Sequence, residues 1–247
     1  MTLQEFFQYY PKIAVAFSGG TDSAYLLYMA KQYAKETMGI YVSTALQPAF
    51  EKEDAIRFCK TYDIPLKMIS CDIFQNDVVV QNPADRCYHC KTALFSQILK
   101  TAGEEGFSCL ADGTNASDDA ADRPGMRALK ELKVLSPLRI CGITKSALRA
   151  DSEKLGLFTA GKPAYACLAT RIPTGTPLTA ARLAQVETAE NALFQMGFTD
   201  FRVRCLRDAA KLQIPEDQFP MAVEKRTELV ALLEPLFGNV YLDLKAR

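Results

Sequence analysis

The feature that most constrains the fold is an apolar run that leads into a glycine-containing turn and then into a helical segment. The run covers residues 13–17, and the turn reads Ser18-Gly19-Gly20-Thr21-Asp22-Ser23. Gly19 and Gly20 allow backbone angles that other residues avoid, and they let the main chain approach a ligand closely. Because unpaired N–H groups at a helix start and the helix dipole attract anions, this unit predicts a phosphate site at the end of a strand.

The side chains of the turn fit the same interpretation. Ser18, Thr21 and Ser23 supply hydroxyl donors, and the Asp22 carboxylate could hold a magnesium ion against phosphate oxygens. The turn lacks the GK[ST] ending of a Walker A loop, and its adjacent glycines do not form the dinucleotide fingerprint. The alternative is a strand–helix turn that uses glycine only for its geometry.

Composition indicates an enzyme of the reducing cytoplasm. The 247 residues include 29 Lys and Arg against 29 Asp and Glu, so no global basic field favours nucleic acid. No apolar run reaches the roughly 18 residues of a membrane span, and the N-terminal segment lacks the features of a signal peptide. The eight cysteines are irregularly spaced, unlike a disulfide framework. We therefore expect no membrane or nucleic-acid partner.

The chain contains one histidine, His89, which lies between Cys87 and Cys90. Zinc sites built on several histidines are excluded within one chain, and a Ser-His-Asp or Cys-His device would have to use His89. The Cys-x-x-Cys spacing has no second half-site in the sequence, so structural packing at the start of a helix is predicted for these cysteines. Arg86 and Lys91 flank the pair and face either a nucleotide phosphate or solvent.

Strands and helices alternate over the first 160 residues, which predicts an α/β fold with a parallel sheet sandwiched by helices. The predicted strands cover 13–17, 39–44, 65–70, 107–111 and 134–138, and the predicted helices cover 22–35, 50–62, 90–103, 125–132 and 144–155. Ligands of such sheets bind at the carboxyl ends of the strands. Asp112 and Thr114 follow one of these strands, so they join residues 18–23 as predicted ATP- and phosphate-binding residues.

The pattern changes after residue 160 and predicts a smaller α+β domain. We expect a domain over 1–160, a connector over 161–178 and a C-terminal domain over 179–247. The C-terminal domain is expected to contain an antiparallel sheet, with strands at 200–205, 209–214 and 239–244. Helices are expected over 179–196, which Gly197 caps, and over 215–236.

The connector contains Cys167 four residues before Arg171. A nearby cation stabilises a thiolate and lowers its pKa, so the segment has the surroundings of a reactive cysteine. The alternative is a small apolar residue packed under a loop.

Taken together, these motifs resemble the ATP-dependent sacrificial sulfur transferases of the LarE type, which belong to the PP-loop ATP pyrophosphatase superfamily. The loop at residues 18–23 is common to the superfamily, whereas residues 85–91 and 167–173 are more specific to the LarE type. The resemblance implies a Rossmann-like fold of the adenine nucleotide alpha hydrolase type. The other matching segments are 82–84, 112–115, 123–125, 136–138, 142–145, 162–166 and 202–204.

The resemblance also implies a mechanism. ATP adenylates a carboxylate of a nicotinate-derived pyridinium mononucleotide, and Cys167 attacks the adenylate to form a thioester. Cysteine then gives its sulfur to the substrate, on a route to the nickel-pincer cofactor. The catalytic set would be Cys167, Glu190 and Arg171, with Arg202 and Arg204 on the substrate phosphate and Asp22 on magnesium. A homo-oligomer is expected.

The sequence departs from the family pattern after the two arginines. Leu206 and Arg207 replace the usual His and Gly, and Gln213 replaces an acidic residue, which places a carboxylate role there in doubt. Cys205 is an unexpected second thiol. It could resolve a persulfide on Cys167, or the two could join a third cysteine, such as Cys141 or one from another subunit, in an iron–sulfur cluster. The alternative is that Cys205 merely replaces an aromatic residue in a strand.

Two other functions remain compatible with these motifs. One is an amidotransferase or ligase of the NAD synthetase type, which uses ammonia as nucleophile and would not need Cys167. The other is a nucleotide-binding protein without catalysis.

Overall fold

In the computed structural model the described residues are 1–118, 124–207 and 209–247. The helices of these residues are, in chain order, α1 (Leu3–Tyr9), α2 (Thr21–Tyr33), α3 (Ala49–Thr61), α4 (Asp77–Val80), α5 (Arg86–Glu104), α6 (Pro124–Glu131), α7 (Pro137–Ile140), α8 (Lys145–Lys154), α9 (Ala180–Gln195), α10 (Phe219–Glu224) and α11 (Arg226–Phe237). The strands are β1 (Lys12–Ala16), β2 (Glu36–Ser43), β3 (Leu66–Ser70), β4 (Leu110–Ala111), β5 (Arg202–Leu206), β6 (Ala209–Gln213) and β7 (Asn239–Leu242). Short 3-10 helices cover Ile73–Gln75, Leu168–Arg171 and Glu216–Gln218.

The chain forms two compact units. The first comprises Met1–Thr44, Ala49–Ile73 and Asp85–Ala164, and the second comprises Ala45–Pro48, Phe74–Ala84 and Tyr165–Arg247. The domain limits expected from the sequence stay a prediction.

The first unit is built on a parallel sheet in the order β3-β2-β1-β4. Alternation along β1 sends Ile13 and Val15 into a core shared with α1, α2 and α3, while Ala14 joins a second core with α5. Helices therefore cover both faces, and the predicted α/β fold is confirmed. Because all four strands run the same way, the loop at residues 18–23 and the segment after β4 emerge at the same edge.

The short strand predicted near 134–138 is reduced to a single parallel bridge between Leu135 and Ala111. The chain then enters α7 at Pro137. Proline has no N–H for a ladder and its fixed φ suits the first turn of a helix, which explains the early end of pairing. The strand predicted at 107–111 is reduced to Leu110–Ala111. Helix α1 was not predicted, although the capping box of Thr2 and Glu5 signals its start.

The second unit contains a three-stranded sheet in the order β5-β6-β7. β5 pairs antiparallel with β6, but β7 pairs parallel with β6, so the predicted purely antiparallel sheet is wrong. The chain leaves β6, passes through α10 and α11 and returns at β7, and such a helical crossover brings the next strand back in the same direction. The helix predicted over 215–236 is divided at Lys225, whose ammonium donates to the Met196 carbonyl at 2.8 Å.

Gly197 follows α9 with a φ of +92°, as the predicted helix cap requires. No disulfide joins the cysteines within the described ranges. In the same part of the chain, no helix is both long and apolar enough to cross a lipid bilayer.

Candidate functional site

The turn between β1 and α2 forms a cradle in the first unit. Gly20 is the N-cap of α2 and Gly19 has a φ of +75°, a conformation that favours glycine. The Ser18 and Ser23 hydroxyls lie 3.0 Å apart, and the Ser23 hydroxyl accepts from the Ser18 N–H at 3.2 Å. These bonds close the loop on itself. The first N–H groups of α2 have no carbonyl partner within the helix, so the loop presents donors to an anion.

A second strand end meets this loop. A Cβ atom on Gly113, which follows β4, would lie 2.8 Å from the Ser23 backbone nitrogen, so only glycine fits there. The neighbouring Asp112 carboxylate is buried and accepts from the Ser136 hydroxyl at 2.6 Å and from the Thr114 hydroxyl. The predicted convergence of the loop with Asp112 and Thr114 is thus realised.

These strand ends line a cavity of about 510 Å³, a size suited to a small ligand. Its other walls come from α5 and α6, through Cys87, Lys91 and Met126 among others. Cys87 is exposed, which corrects the expectation that it packs at the helix start. Lys91 lines the cavity, and its contact with a nucleotide phosphate stays a prediction. Arg86 is buried, and His89 pairs with Asp85 at 3.2 Å.

Two lysines that the sequence did not single out as site residues contact this loop. Lys145, at the first position of α8, holds the Asp22 carboxylate at 2.5 Å. Lys162 donates to the Gly19 carbonyl at 3.2 Å and pairs with Asp54 at 2.7 Å. Both lysines fall inside segments that resemble the family, but no local pattern announces their partners, which lie more than 100 residues away in the chain.

The structure gives Thr21 a different contact from the predicted one. Its hydroxyl donates to the Thr159 carbonyl at 2.9 Å, inside the protein. A hydroxyl has one hydrogen to donate, so Thr21 would offer a phosphate its backbone N–H.

Magnesium fits this cradle through Asp22. Magnesium bound with nucleotide phosphates usually uses one or two carboxylates and keeps several waters, so a single aspartate beside phosphate oxygens suffices. Within the described ranges no group of three or more His, Cys, Asp and Glu side chains could by itself hold a metal ion.

The second unit places three of the predicted catalytic residues together. Arg171 and Glu190 form a bidentate ion pair, with Nε to Oε1 and Nη2 to Oε2 both at 2.9 Å, and their side chains are at most 1% exposed. The remaining Arg171 nitrogen donates to the carbonyls of Ala166 at 2.7 Å and Cys167 at 3.3 Å. Arg171 therefore fixes the backbone that carries Cys167, which is itself half-buried.

Tyr165 completes this cluster and was missed from the sequence. Its hydroxyl contacts the Glu190 carboxylate, and its ring lies 4.5 Å from the Arg171 guanidinium. Burial raises the pKa of Tyr165 well above its usual range, with Glu190 adding to the shift. The Tyr165 hydroxyl therefore stays protonated and donates to Glu190.

The two predicted phosphate arginines project from one face of β5. The Arg202 guanidinium lies 5.1 Å from the Tyr165 ring, and Arg204 donates to the Thr170 carbonyl at 2.7 Å and to Gln213. Burial, together with repulsion from Arg171 and Arg247, lowers the pKa of Arg202 to about 10. The same causes lower the pKa of Arg204. An anion on this face would relieve that repulsion.

Cys205 lies on the opposite face. Alternation along β5 turns its side chain away from Arg202 and Arg204, and it is 2% exposed. Burial raises the pKa of this thiol. The structure does not bring Cys205 to the arginine face. Gln213 occupies the doubtful carboxylate position and bridges Arg204 to Asp243, with 2.8 Å to the latter.

A parallel sheet with a glycine cradle and an aspartate at its carboxyl edge defines a nucleotide-binding α/β enzyme. Residues 2–131 match the model of a family described as a PP-loop domain. The chain belongs to this PP-loop family of ATP-using enzymes.

Similar proteins extend the match beyond that domain. An uncharacterized protein of Synechocystis is 32% identical over 98% of this chain and 91% of its own. The pyridinium-3,5-bisthiocarboxylic acid mononucleotide synthase of Lactiplantibacillus plantarum is 30% identical over 83% of this chain and 75% of its own. A tRNA-specific 2-thiouridylase of Clostridium botulinum is 27% identical over 59% of this chain and 50% of its own. The similarity to LarE-type proteins is thus borne out.

Proposed function

We propose that the chain is an ATP-dependent sulfur transferase that acts on a nicotinate-derived pyridinium mononucleotide. The observation that carries the proposal is the phosphate cradle, in which Gly113 packs against the loop that contains Asp22. The chain with this cradle is similar to a bisthiocarboxylic acid mononucleotide synthase along most of both proteins. The names of two groups of relatives refer to sulfur-containing products, which favours sulfur over ammonia as the transferred group.

In the first half-reaction a substrate carboxylate attacks the α-phosphorus of ATP, and pyrophosphate leaves. The loop N–H groups bind the phosphates, and Lys91 in the cavity and Lys162 beside Gly19 add positive charge near the leaving group. Asp22 would hold a magnesium ion, which would neutralise negative charge on the phosphates. Asp22 would exchange its contact with Lys145 for the metal, which makes the Lys145 ammonium available to a phosphate oxygen.

In the second half-reaction the Cys167 thiolate attacks the acyl carbon, and AMP leaves. Loss of the Cys167 Cα proton and cleavage of the Cβ–S bond then yield a thiocarboxylate on the substrate and dehydroalanine in the protein. Arg171 orients the Cys167 backbone, and Arg202 and Arg204 hold the substrate phosphate.

Intact-protein mass spectrometry tests this function. One turnover with ATP, magnesium and the carboxylated mononucleotide should lower the protein mass by about 34 Da, the loss of H₂S that converts cysteine to dehydroalanine. Peptide mapping should place the change at residue 167. Several turnovers without any change in mass would contradict sacrifice and favour a persulfide or an iron–sulfur cluster as the sulfur source.

Asp22→Asn should reduce pyrophosphate release by about 10²-fold or more, because the substitution removes a charged metal ligand. Asp63→Asn is the matched control, since Asp63 also pairs with a lysine in the first unit but is exposed. Asp22→Asn removes both the metal ligand and the ion pair with Lys145. Lys145→Met separates these two effects, because it breaks the ion pair and keeps the Asp22 carboxylate. Normal magnesium-dependent release by Asp22→Asn would refute the assignment.

The cytoplasm as location, a role in nickel-pincer cofactor synthesis and a homo-oligomeric assembly complete the proposal. They follow from the family resemblance.

A further inference from the structure

A second cluster of positive charge lies in the small unit, away from the arginines of the proposed site. Arg182 and Arg207 together line a cavity of about 250 Å³ whose other walls include Gln185, Cys205 and Phe237. They also line a neighbouring cavity of about 660 Å³. The two guanidinium groups therefore border both openings.

Both arginines occupy positions that local physics disfavours. Arg182 is in the first turn of α9, where the helix dipole repels a cation and where acidic residues are absent. Arg207 follows β5 with a φ of +49°, a left-handed conformation that favours glycine or asparagine. A costly residue at an unfavourable backbone position points to a function for its side chain.

Within the described ranges, neither cation has a carboxylate partner. Among the described residues, no salt bridge or side-chain hydrogen bond joins either guanidinium to another group. The nearest polar side chain on the same helix, Gln185, donates to the Leu236 carbonyl. Two unmatched guanidinium groups beside one cavity form the donor set that binds a phosphate group with two or more hydrogen bonds.

We propose that Arg182 and Arg207 form a binding site for a phosphate group, separate from the phosphate loop and from Arg202 and Arg204. The Cys205 side chain borders the same cavity, so a bound phosphate would lie near that thiol. The group could belong to a phosphate monoester or to free inorganic phosphate. The site does not depend on sulfur transfer.

Calorimetric titration tests the site with the full chain, at constant ionic strength and with the phosphate loop saturated by α,β-methylene-ATP and magnesium. Inorganic phosphate and nicotinic acid mononucleotide are the two probes. We expect Arg182→Gln and Arg207→Gly each to weaken binding about tenfold, since each removes charge-assisted hydrogen bonds. Arg226→Gln is the control, because Arg226 also lies in the first turn of a helix and lines neither cavity.

Arg207→Gly separates binding from folding. Glycine relieves the left-handed backbone, so the variant should have a higher Tm without phosphate while binding phosphate more weakly. Weaker binding of both probes supports a site for phosphate monoesters, and weaker binding of inorganic phosphate alone supports a site for the free ion. Unchanged binding of both probes in both variants would overturn the proposal.

Discussion

Replacing Cys167 with serine should abolish sulfur transfer, with a loss of about 10³-fold or more, while pyrophosphate release stays within about threefold of the parent. A serine hydroxyl is a far weaker nucleophile than a thiolate and holds no sulfur to give. The phosphate cradle is built by the first unit and does not include residue 167. Thiocarboxylate formation and pyrophosphate release, measured in the same reactions, check both halves.

Two cysteine variants serve as controls for this result. Cys109→Ser changes another half-buried cysteine and should leave transfer intact. Cys205→Ser should also retain single-turnover transfer, because Cys205 projects from the opposite face of β5 from the arginines. If Cys205→Ser abolishes transfer, a route through a persulfide or a cluster replaces sacrifice. If Cys167→Ser keeps full activity with ammonia as nucleophile, the amide-forming alternative is correct.

Arg171→Met should lower the free energy of unfolding by about 3–5 kcal/mol, because it leaves the Glu190 carboxylate buried without its cation. Urea denaturation followed by circular dichroism measures the change. The loop carbonyls of Ala166 and Cys167 also lose their donor, so sulfur transfer should fall while pyrophosphate release persists.

The double variant Arg171→Met/Glu190→Gln is the informative comparison. Removing both charges should recover part of the lost stability, because no unpaired charge then stays buried. Lys154→Met breaks an exposed ion pair with Asp151 and should cost about 0.5 kcal/mol or less. Equal stability of Arg171→Met and Lys154→Met would show that the buried pair does not hold this loop.

Local patterns predicted the parts of the fold that depend on short stretches of chain. The apolar run at 13–17 became β1, and the glycine turn became the start of α2, because glycine conformation and helix capping act over a few residues. Alternation of strands and helices was enough to predict a parallel sheet. The order of the elements also implies a crossover through α10 and α11. This crossover makes β7 parallel to β6, in contrast to the predicted antiparallel sheet.

The sequence by itself determined the glycine turn of residues 18–23 and the α/β class, since each rests on local patterns. The predicted closeness of Arg171 to Cys167 is realised through the Cys167 backbone carbonyl, and stabilisation of the thiolate stays a prediction. Only the tertiary structure decided that Lys145 pairs with Asp22, that Glu190 neutralises Arg171 and that the Cys205 thiol is buried. The first two contacts join residues 123 and 19 positions apart, so they depend on packing between elements. Alternation along β5 by itself places Cys205 opposite Arg202 and Arg204, but the burial of its thiol depends on which elements pack on that face, and local propensity does not encode that choice.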